Sequence, residues 1–570
     1  MSNLVPPADV AGLCAQIEAA PGIARLRELL GSEADAGPEM TRAVLEEAAK
    51  FATGWLSPLN PVLDAHGCRI EDGRVRTAPG HLEAWRAYVE GGWLGIDQPA
   101  ALGGAGLPLF VLAACTEIFD RSSVAFGMLP TAQRAAGRLI AAHAADAVKA
   151  EWLPKLISGE WGATICISEP DAGSDAGRIR TIAEPDGEGG WRITGEKIWI
   201  SYGDHDLAER IGHCLLARTA GAAPGGAGLS LFLVPDSFPG EGRNAVVARR
   251  LEEKLGLHGS PTCAMGFEGA RAILIGTEGR GLAQLFTMIA TMRLMVSVQG
   301  LAIASGAADV ALAYAEERRQ GGRPDAPPVP IVQHADVQRM LAGVASRVEA
   351  VRGLVLAAAV QADLARLEPD AAARDEAQAL AQWLLPIAKT YAAETGFETA
   401  SEAIQVLGGA GYVKDWPVEQ ALRDSRVFAI FEGTSGIQAL DLLHRRLRRD
   451  EGRGLKAFLK LARADAALGG EGATDVEAVL DMLEAAAEWL VAANDTDGSA
   501  YAFLELAALA ATGWAALRLS RLEASGGGAR LAAAGRYWLS DLMAKAAFRQ
   551  AEIGLGPERL ELFQAMRRAP

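Results

Sequence analysis

The sequence predicts a multi-domain, mainly α-helical chain with a central β domain, followed by a helical bundle and a further helical appendix. Three observations predict it. The chain has 570 residues, too many for one compact domain when domains average roughly 150 residues. Between residues 161 and 281, short β-branched and aromatic runs separated by Gly, Pro and Asp interrupt a helical period. Beyond them, long apolar-striped segments alternate with glycine-rich breaks, the pattern of antiparallel bundles.

The first 160 residues read as helical, with apolar residues at three- and four-residue steps over Met40 to Trp55 and Pro108 to Phe119. A loop is predicted at Gly103-Gly-Ala-Gly-Leu-Pro108. In the middle block, strands are predicted at Ala163–Ser168, Trp191–Ser201, Leu229–Val234 and Thr262–Phe267. No helical pattern is interleaved among them, which favours an antiparallel sandwich or barrel over a parallel sheet. From Leu282 the helical period returns, broken at 321–328, 408–411, 469–472, 494–499 and 525–528. The expected divisions are residues 1–160, 161–281, 282–450 and 451–570.

Composition excludes some functions. Apolar residues are 50% and charged residues 22%, the balance of a folded protein. The net charge of −16 opposes a broad phosphate contact, so no nucleic-acid partner is expected. The six cysteines are widely spaced without a C-x-x-C, as in a reduced, cytoplasmic protein. The amino terminus shows no basic region followed by an apolar one, so no secretory signal is expected. Ala500 to Leu519 approaches membrane-spanning length, but Glu505 and Arg518 favour a buried bundle helix over membrane insertion. The eight histidines show no metal-ligand spacing, and no metal site is expected. No phosphate-binding glycine loop and no strand–glycine–helix dinucleotide turn is present.

Two segments carry candidate chemistry. Ser168-Glu-Pro-Asp-Ala-Gly-Ser-Asp175 follows a strand and combines acids, hydroxyls, Pro and Gly. It suits either an anion held on exposed backbone N–H groups or, more simply, a chain turn. In Arg426–Gln438, Ser435 and Gln438 have capping-box spacing, placing Glu432 in the loop ahead of a helix and directly after the apolar run Val427–Phe431. A carboxylate against an apolar wall has a raised pKa and suits a base. The helix start pulls the other way, by about 0.3–1 kcal/mol when exposed. A surface glutamate near a helix start fits the same residues.

Taken together, these segments resemble the acyl-CoA dehydrogenase family over roughly residues 80 to 450. The carriers are Gly92–Pro99 with Gly103–Pro108, Ile167–Asp175, Lys197–Ser201, Leu255–Thr262 with Gly276–Leu282, Gln405–Tyr412, and Arg423–Ser425 with Phe431–Gln438, in the family's order. The long carboxy-terminal appendix and Lys197–Leu207 are similar to its larger bacterial members, of the 3-methylthiopropionyl-CoA dehydrogenase type. The resemblance implies a helical domain, a β domain and a four-helix bundle, with FAD between the last two. It implies α,β-dehydrogenation of an acyl-CoA to a trans-2-enoyl-CoA, with Glu432 as α-proton base and flavin N5 as hydride acceptor. Some members place the base on a bundle helix just before an arginine. Here that arginine matches Arg293 and is preceded by Met292, which cannot take a proton.

The resemblance further implies FAD contacts from Ile167, Ser168, Ser174, Trp199, Ser201, Gln405, Gly408, Gly409, Thr434 and Gln438, with Arg318 reaching the FAD of a neighbouring subunit. Ser174, Arg293 and Gly433 match substrate-side positions. Read alone, Trp199 suits a core and Gly408–Gly409 a helix stop. Gln320, Gly321 and Ala335 depart from the family's usual residues, weakening the cofactor contacts across subunits. Implied partners are an acyl-CoA substrate, an electron-transfer flavoprotein as acceptor and further copies of the chain, with a dimer favoured and a tetramer left open. The alternatives are an acyl-CoA oxidase, a DNA-associated alkylation-response relative using the basic run Arg445–Lys456, and a non-enzymatic helical scaffold. A solvated helix end or interdomain seam explains the basic run better.

Overall fold

The computed structural model describes residues 4–31, 36–494, 496–522 and 528–568. Asp495 and most of the break predicted at 525–528 lie outside them. The described residues gather into two compact bodies. One draws on Met1–Lys50, Pro108–Arg121 and Arg293–Pro570, the other on Phe51–Leu107 and Ser122–Met292.

The second body holds the sheet. Five strands close a ring by successive pairing: Thr262–Ile275, Trp191–Ser201, Ile182–Pro185, Arg210–Thr219, Leu229–Pro235 and back to Thr262–Ile275. Val246–Leu251 joins Thr262–Ile275, and Trp161–Cys166 joins Arg210–Thr219. The expected barrel is therefore present, but it is not wholly antiparallel. Trp161–Cys166 and Ile182–Pro185 both run parallel to Arg210–Thr219.

Of the predicted strands, Trp191–Ser201 has the predicted bounds and Thr262–Ile275 runs well past them. Arg210–Thr219 was not predicted because it shows no alternation: Leu215 and Ala217 pack into one apolar cluster and Cys214 and Leu216 into the other. The amino-terminal region also contains a hairpin, Arg69–Glu71 with Arg74–Arg76, where only helix was expected. The segment Met40 to Trp55 is helix Pro38–Phe51 running on through a π-turn at Ala52–Leu56.

The first body is helical. Ala335–Leu367 and Ala371–Leu407 pack along each other, and both are Ala-rich and buried on most of their surface. A third helix, Gly281–Glu317, approaches Ala371–Leu407 more closely still: at Gly300 an added Cβ would stand 2.4 Å from the Ala392 carbonyl oxygen, and at Gly396 2.8 Å from that of Gly300, so these two helices touch backbone to backbone. Asp370 caps the Ala371–Leu407 helix by accepting from Ala373 N at 2.9 Å.

Among the described residues two helices, Gly281–Glu317 and Asp497–Ser520, are long and apolar enough to cross a membrane; their apolar windows are 67% and 94% buried within the chain. The basic run joins bundle to appendix. Arg446 donates to Gln382 Oε1 at 2.7 Å, and Arg448 to Leu490 O, Ala493 O and Thr496 Oγ1.

Candidate active site

Glu432 lies between the short helical turn Arg426–Ala429 and the helix Ser435–Leu440. Its backbone is left-handed, φ +54, and Gly433 follows at φ +91. A left-handed non-glycine residue costs on the order of 1–3 kcal/mol and persists only where its surroundings impose it. Two buried side chains do so here. Gln438, wholly buried, donates from Nε2 to Glu432 O at 3.0 Å and to Gly433 O at 3.4 Å. Lys389, wholly buried on Ala371–Leu407, donates from Nζ to Gly433 O at 2.7 Å.

The cap differs from the predicted one by a residue. Thr434, not Ser435, accepts from Ile437 N at 3.3 Å, while Ser435 Oγ donates to Glu394 Oε1 at 2.8 Å. The Gln438 amide N–H group therefore holds the turn instead of reaching outward, leaving its buried Oε1 without a hydrogen bond among the described residues.

Burial raises the Glu432 carboxyl above the ordinary glutamate value, with the charges of Lys389 and Arg293 opposing it. Among the described residues the carboxylate makes no hydrogen bond or ion pair, so both cations act across a gap rather than by contact. Arg293 is held elsewhere: its Nη1 pairs with buried Asp441 Oδ2 at 2.6 Å. Its guanidinium reaches Glu432 only through space.

The other candidates in this body are at helix ends. Gln405 closes Ala371–Leu407 and its carbonyl accepts from Gly408 N. Gly408 and Gly409 are exposed, with nothing within 4 Å of an added Cβ, so the turn presents open backbone. Arg318 lies just past Gly281–Glu317, exposed and with no ion-pair partner among the described residues.

The second body gathers Ile167, Ser168, Trp199 and Ser201 at one end of the barrel. Ile198 N donates to Ser168 O at 2.9 Å, and Thr164 Oγ1 to Ser201 O at 2.7 Å. The pairing slips at Trp199, because Cys263 faces Ile200 while Met265 faces Lys197. This bulge turns Trp199 to φ +62 and leaves it 58% exposed. An exposed indole at a strained position is a flat apolar surface on which a planar ring system can stack.

The loop after Ser168 is both a turn and a built platform. Glu169 and Ala172 exchange two backbone hydrogen bonds at 3.0 Å. The Glu169 carboxylate accepts from Lys197 Nζ, Thr181 Oγ1, Thr181 N and Arg180 N at 2.6–3.1 Å. Lys197 Nζ also donates to Ile167 O at 3.0 Å. Ser174 is exposed at the far side of the loop, and its hydroxyl makes no hydrogen bond among the described residues. Sequence reasoning missed Lys389, Glu394 and Asp441, and quoted Lys197 and Glu169 only as parts of motifs. Buried ionic residues inside apolar helices were the available signal.

The residues fit a flavin in both bodies: an exposed, strained Trp199 above a braced loop in one, and an open Gly408–Gly409 backbone with the orphaned Gln438 Oε1 in the other. Models of the acyl-CoA dehydrogenase N-terminal, middle and C-terminal domains match residues 38–160, 164–270 and 279–447. The chain is 40% identical to the 3-methylmercaptopropionyl-CoA dehydrogenase of Ruegeria pomeroyi over 505 residues, 85% of each chain. It is 37% identical to the broad-specificity linear acyl-CoA dehydrogenase FadE5 of Mycobacterium tuberculosis, over 64% of this chain and 62% of that one. Among solved structures, a glutaryl-CoA dehydrogenase bound to glutaryl-CoA is similar at TM-score 0.60 and 28% identity, over 71% of this chain and 95% of that one. An acyl-CoA dehydrogenase with FAD from Bacillus anthracis has a similar fold at TM-score 0.76 and 21% identity, over 90% of this chain and 88% of that one.

Proposed function

Because the chain belongs to the acyl-CoA dehydrogenase family, whose members are FAD enzymes, we propose that Glu432 is the base that removes the α-proton of an acyl-CoA thioester, giving a trans-2-enoyl-CoA. When bound, FAD supplies the acceptor for the β-hydrogen, which departs with its electron pair. Trp199, Ile167, Ser168, Ser201 and Ser174, and likewise Gln405, Gly408, Gly409 and Thr434, would be its contacts. Arg318, exposed and without an ion-pair partner among the described residues, would serve a neighbouring copy of the chain. Gln438 has no such direct role through its amide N–H, which is bound to the base's own turn.

The observation that carries this reading is the state of the Glu432 carboxyl. Its turn is fixed from two sides, it has no contact partner among the described residues, and burial raises its proton affinity. A base engaged in a close ion pair would hold its proton poorly, whereas this one accepts a proton and keeps it through the step. The backbone N–H of the same residue is the natural donor to a thioester carbonyl. That contact would acidify the α-carbon, an oxyanion-type stabilisation worth several kcal/mol. Gly433, lacking a side chain, leaves room for the Gln438 amide that holds the turn, which an added Cβ would meet at 2.7 Å.

The test is anaerobic titration of the FAD-loaded chain with acyl-CoA thioesters, including a short thioether acyl-CoA because a relative acts on 3-methylmercaptopropionyl-CoA. The parent bleaches the flavin. Glu432→Gln keeps bound FAD and loses about 10³-fold or more of the bleaching rate, the scale of general-base removal. Full-rate bleaching by Glu432→Gln refutes the assignment. An electron-transfer flavoprotein is the proposed physiological acceptor, and a homodimer the proposed assembly.

A further inference from the structure

We propose that Lys389 is a positioning residue for the base: its ammonium holds the Glu432–Gly433 turn through the Gly433 carbonyl and acts as the counter-charge to the Glu432 carboxylate. The inference rests on the reading of Glu432 as base. Lys389 lies in the middle of Ala371–Leu407 and is 0% exposed. An ammonium that deep is costly to keep unless the site uses its charge. Its bond to Gly433 O, at 2.7 Å, ends on the residue next to the base.

Among the described residues, three charged groups act on Lys389. Glu432 approaches from the loop, Arg293 from the Gly281–Glu317 helix with Asp441 on its far side, and Glu394 from Lys389's own helix. Arg293 and Lys389 each lie seven residues, about two turns, before the Gly300–Gly396 backbone crossing, so the helix packing itself fixes the two cations beside the turn. Arg293 is already neutralised in part by Asp441 at 2.6 Å, and Glu394 is engaged with Ser435. Lys389 has no ion pair within contact distance among the described residues, so its charge is left to act on Glu432. Burial first, and Arg293 second, bring the ammonium down to about 8, while Glu432 and Glu394 support it. At neutral pH it is therefore charged, and it loses that charge above about pH 8.

A purely structural lysine and a positioning lysine separate in the pH profile. The experiment uses the full-length FAD-loaded chain and measures the rate of anaerobic flavin bleaching by acyl-CoA from pH 5 to 10. The Glu432 carboxyl is titrated separately in the flavin-free chain, as the infrared carboxylic C=O band that Glu432→Gln removes. In Lys389→Met the acid limb and the infrared midpoint both move up by about 1 pH unit, because an opposing positive charge is gone. In Lys389→Arg, which keeps the charge but not the short bond to Gly433 O, the midpoint stays within about 0.3 unit while the rate falls about tenfold. Should Lys389→Met fail to fold, the arginine variant decides, since a midpoint moved by a full unit there overturns the proposal. An unmoved limb and midpoint in folded Lys389→Met overturn it too. Full activity in Glu432→Gln would instead remove the base reading itself, so the two failures are distinct.

Discussion

Replacing Lys197 with methionine separates a bracing role from a merely buried charge. Lys197 is 0% exposed and pairs at 2.8 Å with Glu169, 7% exposed, while also donating to Ile167 O. Removing one partner of a buried pair costs about 3–5 kcal/mol, because the other is left uncompensated. Glu169 keeps Thr181 Oγ1, Thr181 N and Arg180 N as donors, which places the loss near the lower end, about 3 kcal/mol. At about 2–4 °C per kcal/mol for a body of this size, the barrel's transition falls by about 6–12 °C in scanning calorimetry at pH 7.

The pH dependence has a definite sign. Burial raises the Glu169 carboxyl, but Lys197 and the hydrogen bonds more than offset it and hold it below the ordinary glutamate value. A carboxyl depressed in the folded state contributes stability above its unfolded value, near 4.5, and loses it as pH falls through the folded value. The gap between parent and variant is therefore widest above about pH 5 and narrows towards pH 4. Pairing the change with Glu169→Gln restores more than half of the lost stability. A variant that melts within 2 °C of the parent at pH 7, or a gap that stays constant to pH 4, refutes the reasoning.

Other consequences can be checked with the same protein. Glu505 is buried on Ala500–Ser520, and burial, opposed by Arg549, pushes its carboxyl up to about 7. A raised carboxyl stabilises the fold only below its unfolded value, so stability falls by up to about 3 kcal/mol as pH rises from 4.5 through 7. Glu505→Gln flattens that slope in calorimetry between pH 5 and 8. Gly300→Ala places a methyl 2.4 Å from the Ala392 carbonyl oxygen and costs about 1–3 kcal/mol or more by overpacking, read as a lower denaturation midpoint. Trp199→Gly relieves the left-handed backbone, leaving the melting temperature of the flavin-free chain unchanged or higher, yet FAD affinity falls at least tenfold by flavin fluorescence quenching.

Much of the fold was legible because its signals are local. Trp191–Ser201 combines β-branched and aromatic residues with turn residues at both ends, and the strand has the predicted bounds. What local reading could not supply was topology. Arg210–Thr219 is covered on both faces, so its alternation vanishes, and its parallel neighbours are set by pairing 49 residues away in sequence, Trp161 with Arg210. The capping residue slipped by one for a comparable reason. Thr434 and Ser435 are equivalent as caps by composition, and only the presence of Glu394 across the helix claims the serine.

The candidate base was visible in sequence as an acid after an apolar run, but its electrostatic setting was not. The turn's second anchor, Lys389, lies 44 residues from the carbonyl it holds, inside a helix whose composition reads as plain core. Nothing in helical periodicity distinguishes a lysine that reaches solvent from one that ends on a carbonyl, since long side chains occur at either kind of position. Burial raises the acid's proton affinity, two cations limit that rise, and neither cation touches the carboxylate. A contact ion pair at this position would have tied up the carboxylate, and without the two cations nothing would oppose the rise that burial imposes on it. The helices that carry Arg293 and Lys389 meet backbone to backbone at Gly300 and Gly396, and each cation makes its hydrogen bond away from the carboxylate. The electrostatic setting of the candidate base is thus shared between the charged residues and the close helix crossing at Gly300 and Gly396.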